Sequence, residues 1–120
     1  MSKMNIKRGQ LIMVDFGERI GGCQGGKRPA VVMQNNVGNR FAITTTVIPI
    51  TTNIENGLPV HTKLVRNYDL ANKGDVIMSE QLTVVDKSQI LTIGDMLESD
   101  DIKVIEQAIF MQLSLDVNIK

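Results

Sequence analysis

The sequence predicts a mainly β fold closed by one C-terminal α-helix: a small, strongly bent sheet or partly open barrel with the helix packed against it. Two observations carry this. Most of the first two thirds of the chain is short apolar or β-branched runs broken by turn residues, and the last stretch changes to a helical period. The length, 120 residues, leaves room for one core and one domain.

The elements follow in order. Leu11 to Phe16 is a nearly all-apolar run, ended by Gly17 and a long loop holding Gly21, Gly22, Gly25 and Gly26. A second run, Ala30 to Met33, follows Pro29. The cluster Asn35-Asn36-Val37-Gly38-Asn39 reads as a turn, and Phe41 to Ile50, rich in β-branched residues, completes a hairpin with the preceding run. Further short strands are expected at Val60 to Val65, Asp75 to Ser79 and Gln81 to Val85, with turns at Asn56-Gly57 and Lys73-Gly74. Ser99 is read as an N-cap, Asp100 and Asp101 favour the first turn, and Ile102, Ile105, Ala108, Ile109 and Leu113 line one face of a helix over 100–116.

Charge narrows the function. Lysines and arginines number 13 and so do aspartates and glutamates, so bulk positive charge coating a polyanion is excluded. Residues 1–66, however, carry nine basic against three acidic side chains, and residues 67–120 four against ten, which gives +6 and −6. A local basic groove is compatible with that split. The single thiol, Cys23, cannot form an intrachain disulfide and fits a reducing compartment. No apolar stretch reaches the length of a membrane span, so a soluble, cytoplasmic protein without membrane partners is expected.

Chemistry is first limited by what is missing. There is no phosphate loop with a following Lys-Ser/Thr, no nucleophile elbow and no Cys/His pair at metal-ligand spacing, and His61 is the only histidine. No cofactor or metal is expected. The distinctive segment is Cys23-Gln24-Gly25-Gly26-Lys27-Arg28-Pro29-Ala30-Val31-Val32, in which a glycine-rich loop delivers a basic pair to the start of a strand. Paired glycines allow close approach of a ligand, and Pro29 pushes Arg28 towards an extended conformation. A guanidinium there suits phosphate recognition.

These residues, with Lys7-Arg8-Gly9, Gln34-Asn35, Ile50-Thr51, Asp75-Val76-Ile77, Glu80-Gln81 and Asp86-Lys87, resemble the MazF/PemK (Kid) family of toxin endoribonucleases over about Ile6 to Leu115. The resemblance implies an SH3-like curved β-barrel of the MazF/PemK/CcdB type, a homodimer, and metal-independent, sequence-specific cleavage of single-stranded RNA. It also implies a cognate antitoxin that lays an extended acidic segment over the toxin dimer. Carried over residue by residue, the essential Arg falls on Arg28 and the essential Thr on Thr51. Candidate RNA contacts are Gln24, Gly25, Gly26, Lys27, Asn35, Thr52, His61, Glu80 and Gln81, with strand capping or cross-linking as the alternative for Glu80 and Gln81 and β-propensity as the alternative for Thr52.

Transesterification needs a proton taken from the 2′-hydroxyl, charge stabilised on the phosphorane oxygens, and a proton given to the departing 5′-oxygen. Arg28 suits the second task, and Thr51 suits a hydrogen bond to the phosphate or the 2′-hydroxyl. The chain departs from the family pattern at Cys23, where many members carry Glu, at Thr83, where an Arg is common, and at Gln10, where the pattern has an acid. Cys23 is expected to be small and half-buried. The Thr83 change removes a charge that could touch RNA, and His61 is either a structural histidine or a proton shuttle brought to the groove. Aromatic residues are too few for a stacking platform, so recognition would lean on hydrogen bonds. Two other readings share the fold: a non-enzymatic toxin binding a protein target such as gyrase, and an RNA-binding barrel that no longer cleaves.

Overall fold

A computed structural model describes residues 5–52, 54 and 57–115. Among them run β1 (Gln10–Asp15), β2 (Lys27–Val32), α1 (Asn36–Phe41), β3 (Thr44–Thr51), β4 (His61–Lys63), β5 (Val76–Met78), β6 (Thr83–Asp86), β7 (Ile90–Met96) and α2 (Ser99–Gln112). The strands form one seven-stranded sheet in the order β4-β5-β3-β2-β1-β7, with β6 also paired to β3. The long strand β3 has two partners along one edge: Thr44–Val47 pair with β6, and Ile50 and Thr51 with β5. That handover makes the sheet bend, and it curves without closing into a barrel.

Alternation along the strands sends side chains to two cores. Leu11, Val31, Met33, Ile48, Ile50 and Ile77 meet Ile105 of α2 on one side. Ile12, Val14, Phe16, Ala30, Val32, Val47 and Val85 fill the other. A central strand buried on both faces is nearly all apolar, which is why β1 and β3 show continuous runs rather than alternation.

Helix α2 is docked by its buried face, Asp101, Ile105 and Ala108, with Ile102 and Ile109 packed alongside. The carboxylate of Asp101 accepts from the Tyr68 hydroxyl and lies 3.2 Å from Arg66 Nε, while the Glu98 N–H donates to the Tyr68 oxygen at 3.0 Å. This ties the helix start to the 66–71 segment. Arg8 ties its middle: Nη1 meets Glu106 at 2.7 Å and Nε donates to the Met33 carbonyl at 3.2 Å. Lys7-Arg8-Gly9 is thereby a brace between β2 and α2.

Several expectations are corrected. The turn at Asn35–Asn39 is the start of a short helix: Asn35 Oδ1 accepts from the Gly38 N–H at 2.8 Å, and a Cβ at 38 would sit 2.9 Å from the Gln34 side chain, which would have to shift. β2 and β3 still pair antiparallel, so the hairpin stands with a helical connection. β7 was not anticipated; it bears exposed Leu91, Ile93 and Met96 and joins β1 through two register shifts, so no alternation marks it. Ser99 is the first helical residue, not the cap, since Glu98 holds the extended cap position without a side-chain bond. Leu113 lies past the helix end and is half exposed. Residue 56 of the Asn56-Gly57 turn and residue 116 of the expected helix lie outside the described residues.

Candidate active site

The β1–β2 loop begins where Phe16 and Gly26 close the hairpin, with the Phe16 N–H donating to the Gly26 carbonyl at 2.9 Å and the Gly26 N–H to Gly17 at 2.8 Å. The loop then doubles back tightly. A Cβ on Gly25 would lie 2.8 Å from the Gly17 carbonyl and 3.4 Å from Arg19 N, so only glycine fits. The returning strand presents Arg28, half-buried, and its Nε donates to the Gly25 carbonyl at 2.8 Å.

Thr51 stands on the neighbouring strand. Ala30 pairs with Pro49, Val31 with Ile48 and Val32 with Val47. That ladder ends at Ala30 and Pro49, two residues short of both Arg28 and Thr51, and Thr51 is paired on its other side with Val76 of β5. On the other flank, Arg28 is paired with Val14 of β1. The two residues singled out from sequence therefore lie just beyond the same end of the β2–β3 ladder, and Thr52 follows at an exposed bend.

The electrostatics mark Arg28 further. Among the described residues, Arg8 pairs with Glu106 and Arg66 with Asp101, but no carboxylate lies within ion-pair distance of Arg28. Its Nη groups have no hydrogen-bond partner among those residues. A guanidinium held by one bond and otherwise unspent is a receptor for an oxyanion. Lys27 beside it is exposed.

Gln81 clamps the loop from outside. It lies in a 3-10 turn, Ser79–Gln81, beside β3; its Oε1 accepts from the Gln24 N–H at 3.2 Å and its Nε2 donates to the Gly22 carbonyl at 3.1 Å. Gln24 Oε1 is buried without a protein partner. Glu80 turns to His61, with its Oε2 2.8 Å from Nε2. The Leu58 N–H donates to His61 Nδ1 at 3.0 Å; a backbone amide can only donate, so the ring proton sits on Nε2 and is given to Glu80. Both nitrogens of the ring are thus occupied, and its side chain is only 9% exposed.

Not every candidate joins this group. Asn35 follows the far end of β2, roughly 20 Å from Arg28 along the strand, and its side chain is spent as the cap of α1. A groove of about 1210 Å³ near it, lined by Lys7, Arg40, Phe41, Ile43 and Lys87 among others, holds none of the other candidates. Cys23 is exposed rather than half-buried, because the loop tip stands clear of the sheet. At Thr83 the missing charge is replaced from elsewhere: Arg19 Nη1 donates to Thr83 Oγ1 at 3.4 Å. Sequence reasoning passed over Arg19, and the signal available was its position as the one cation within residues 17–26. No three His, Cys, Asp or Glu side chains among the described residues come together as metal ligands, and no described helix is long and apolar enough to cross a membrane.

The architecture and sequence have known relatives. A family model described as PemK-like, MazF-like toxin of type II toxin-antitoxin system matches residues 7–113. Endoribonuclease EndoA of Bacillus subtilis (strain 168) is 32% identical over 113 residues, which are 93% of this chain and 97% of that protein. Among solved structures, MazF from Deinococcus radiodurans superposes with a TM-score of 0.77 at 21% identity, over 93% of this chain and 99% of its own. An endoribonuclease from a mycobacterial species, in complex with its cognate antitoxin, gives 0.74 at 18% identity over 93% and 96%. The two structures share the fold described above, a curved, mainly β sheet with a C-terminal helix.

Proposed function

The chain belongs to the PemK-like, MazF-like toxin family of type II toxin–antitoxin systems, and on that premise we propose that it is a metal-independent, sequence-specific endoribonuclease acting on single-stranded RNA. The observation that carries the reading is Arg28, held by Gly25 and free of any carboxylate partner among the described residues, at the same end of the β2–β3 ladder as Thr51.

The reaction is transesterification. The 2′-oxygen attacks the adjacent phosphorus, the P–O5′ bond breaks, and the products are a 2′,3′-cyclic phosphate and a 5′-hydroxyl. Arg28 donates to the non-bridging oxygens as charge grows on them, and a donor aimed there lowers the barrier by a few kcal/mol, roughly a hundredfold or more in rate. Thr51 orients the phosphate or the 2′-hydroxyl through its own hydroxyl. Gly25 and Gly26 let the backbone approach, while Lys27 and Thr52 contact neighbouring phosphates. Gln24 contacts the RNA from the same loop once its side chain, whose Oε1 is buried in the free protein, swings outward. Gln81, Glu80 and His61 act by holding the loop and the strand ends in place. The general base has no assigned side chain.

The partners in this reading are single-stranded mRNA in the cytoplasm, a second copy of the chain and a cognate antitoxin. Support for protein partners is the exposed apolar surface at Val37, Phe41 and Ile43, each at least 70% accessible. The test is to incubate the protein with long single-stranded RNA in excess chelator and map the fragment ends. Cleavage at a recurring motif, lost in Arg28→Ala and reduced in Thr51→Ala, is expected. Intact RNA at high protein concentration would contradict the reading and favour a toxin that binds a protein target.

A further inference from the structure

Arg19 is placed in a way an ordinary loop arginine is not. Its neighbour Ile20 is 91% exposed, so the loop has every opportunity to leave its side chains in solvent. Arg19 instead is half-buried, with its guanidinium carbon 5.0 Å from the centre of the Phe16 ring and Nη1 on Thr83 Oγ1 at 3.4 Å. Phe16 is itself buried at the end of β1, so the ring is a fixed platform. Among the described residues no carboxylate comes within ion-pair distance of Arg19, not even the adjacent Glu18. The bond to Thr83 is long, ends on a neutral acceptor and uses one of five N–H groups.

The backbone links Arg19 to the reacting end of the site. A Cβ on Gly25 would lie 3.4 Å from Arg19 N and 3.7 Å from Arg19 Cβ, so the two segments are in contact. The carbonyl of that same Gly25 accepts from Arg28 Nε. Two arginines, neither with a carboxylate partner among the described residues, thus rise from segments that meet at one glycine. An ordered cation that lacks a carboxylate invites an anion, and its orientation has already been fixed by the protein.

We propose that Arg19 is a second phosphate-binding residue, gripping the RNA backbone next to the phosphate engaged by Arg28. The inference rests on the endoribonuclease reading. Arg19 acts on binding and register, touching a phosphate that does not react, and Phe16 and Thr83 hold it ready.

The test compares the wild type, Arg19→Ala and Arg19→Lys on a long mRNA transcript. Binding is then measured on a 2′-O-methylated oligonucleotide of the site mapped with the wild type. Arg19→Ala should raise KM about tenfold, with the smaller share of the loss in kcat, and should flatten the log–log salt dependence of binding by about 0.7. Arg19→Lys should restore the salt slope and only part of the affinity, since it keeps the charge and loses the fork. Unchanged KM and salt slope in Arg19→Ala, while the wild type cleaves, would overturn this proposal and leave the enzyme reading standing. A loss confined to kcat with an unaltered slope would overturn it too, since that is what a merely structural role produces. An intact transcript with the wild type removes both readings together. Should Arg19→Ala fail to fold, Arg19→Gln, which keeps most of the side chain over Phe16, carries the same comparison.

Discussion

The Arg28 side chain donates through Nε to the carbonyl of Gly25, three residues earlier, at 2.8 Å. The bond uses the one guanidinium N–H that faces back along the chain and leaves the Nη groups for a ligand. It also makes the direction of Arg28 depend on the path of the loop, so the loop's own supports become part of the site.

Gly25→Ala introduces a methyl 2.8 Å from the Gly17 carbonyl, where neither backbone can yield cheaply. The loop must open, carrying the acceptor of Arg28 with it. Cleavage should fall by about tenfold or more, because misplacement of a charge-stabilising donor is felt directly in the barrier. The melting temperature should move little, since the loop contributes no buried core side chain between Gly17 and Gly26. Steady-state cleavage and a thermal melt on the same preparation check both halves.

Gln81→Leu removes the two bonds that hold Gly22 and Gln24. Hydrogen exchange in residues 17–26 should accelerate while the strands keep their protection. KM should rise alongside, because a looser loop orders only on binding.

His61→Ala separates a structural histidine from a proton shuttle. The change leaves the Leu58 N–H without its acceptor and Glu80 without its donor in a largely buried setting. Stability should drop by about 2 kcal/mol. Below the lowered melting temperature, cleavage should persist with an unchanged pH–rate profile. Loss of one limb of that profile would instead assign proton transfer to His61.

Tyr68→Phe tests the anchor of α2. Burial, and next the hydrogen bond to Asp101, raise the Tyr68 hydroxyl above its ordinary value of 10.0. A group whose folded value is raised adds stability that is present below pH 10.0 and is lost as pH climbs through the folded value. The phenylalanine variant should therefore be less stable by about 2 kcal/mol near neutrality and lack that component of the alkaline loss. Denaturant melts across pH 7 to 11 provide the comparison.

What could be read in the sequence follows from how local its causes are. β1, β2 and β3 announce themselves because strands buried on both faces need unbroken apolar and β-branched runs, and α2 because its buried stripe repeats with the helix. β7 escaped because its pairing to β1 is bulged and its apolar side chains face outward. α1 escaped because Asn35 and Gly38, good turn residues, are used here as a cap and as room for Gln34. The site divides the same way. Arg28 and Thr51 were named from the motif around them, but their place at one end of the β2–β3 ladder depends on strand pairing, which no local pattern states. Asn35 was grouped with them by proximity in the motif, and the length of β2 separates it. Arg19 was passed over because its hydrogen-bond partner, Thr83, lies far along the chain, although Phe16 is only a few residues back.

On the proposed reading, Arg28 stabilises the transition state of attack by the RNA's own 2′-hydroxyl. The most direct measurement uses one single-stranded substrate in two forms, with and without a 2′-deoxy substitution at the cleaved nucleotide, in excess chelator, with identification of the end groups. The all-ribose form should yield a 2′,3′-cyclic phosphate and a 5′-hydroxyl, at a rate lowered at least about a hundredfold by Arg28→Ala, and the deoxy form should bind without being cut. Cleavage of the deoxy form, 5′-phosphate ends, or an Arg28→Ala enzyme as fast as the wild type would contradict it.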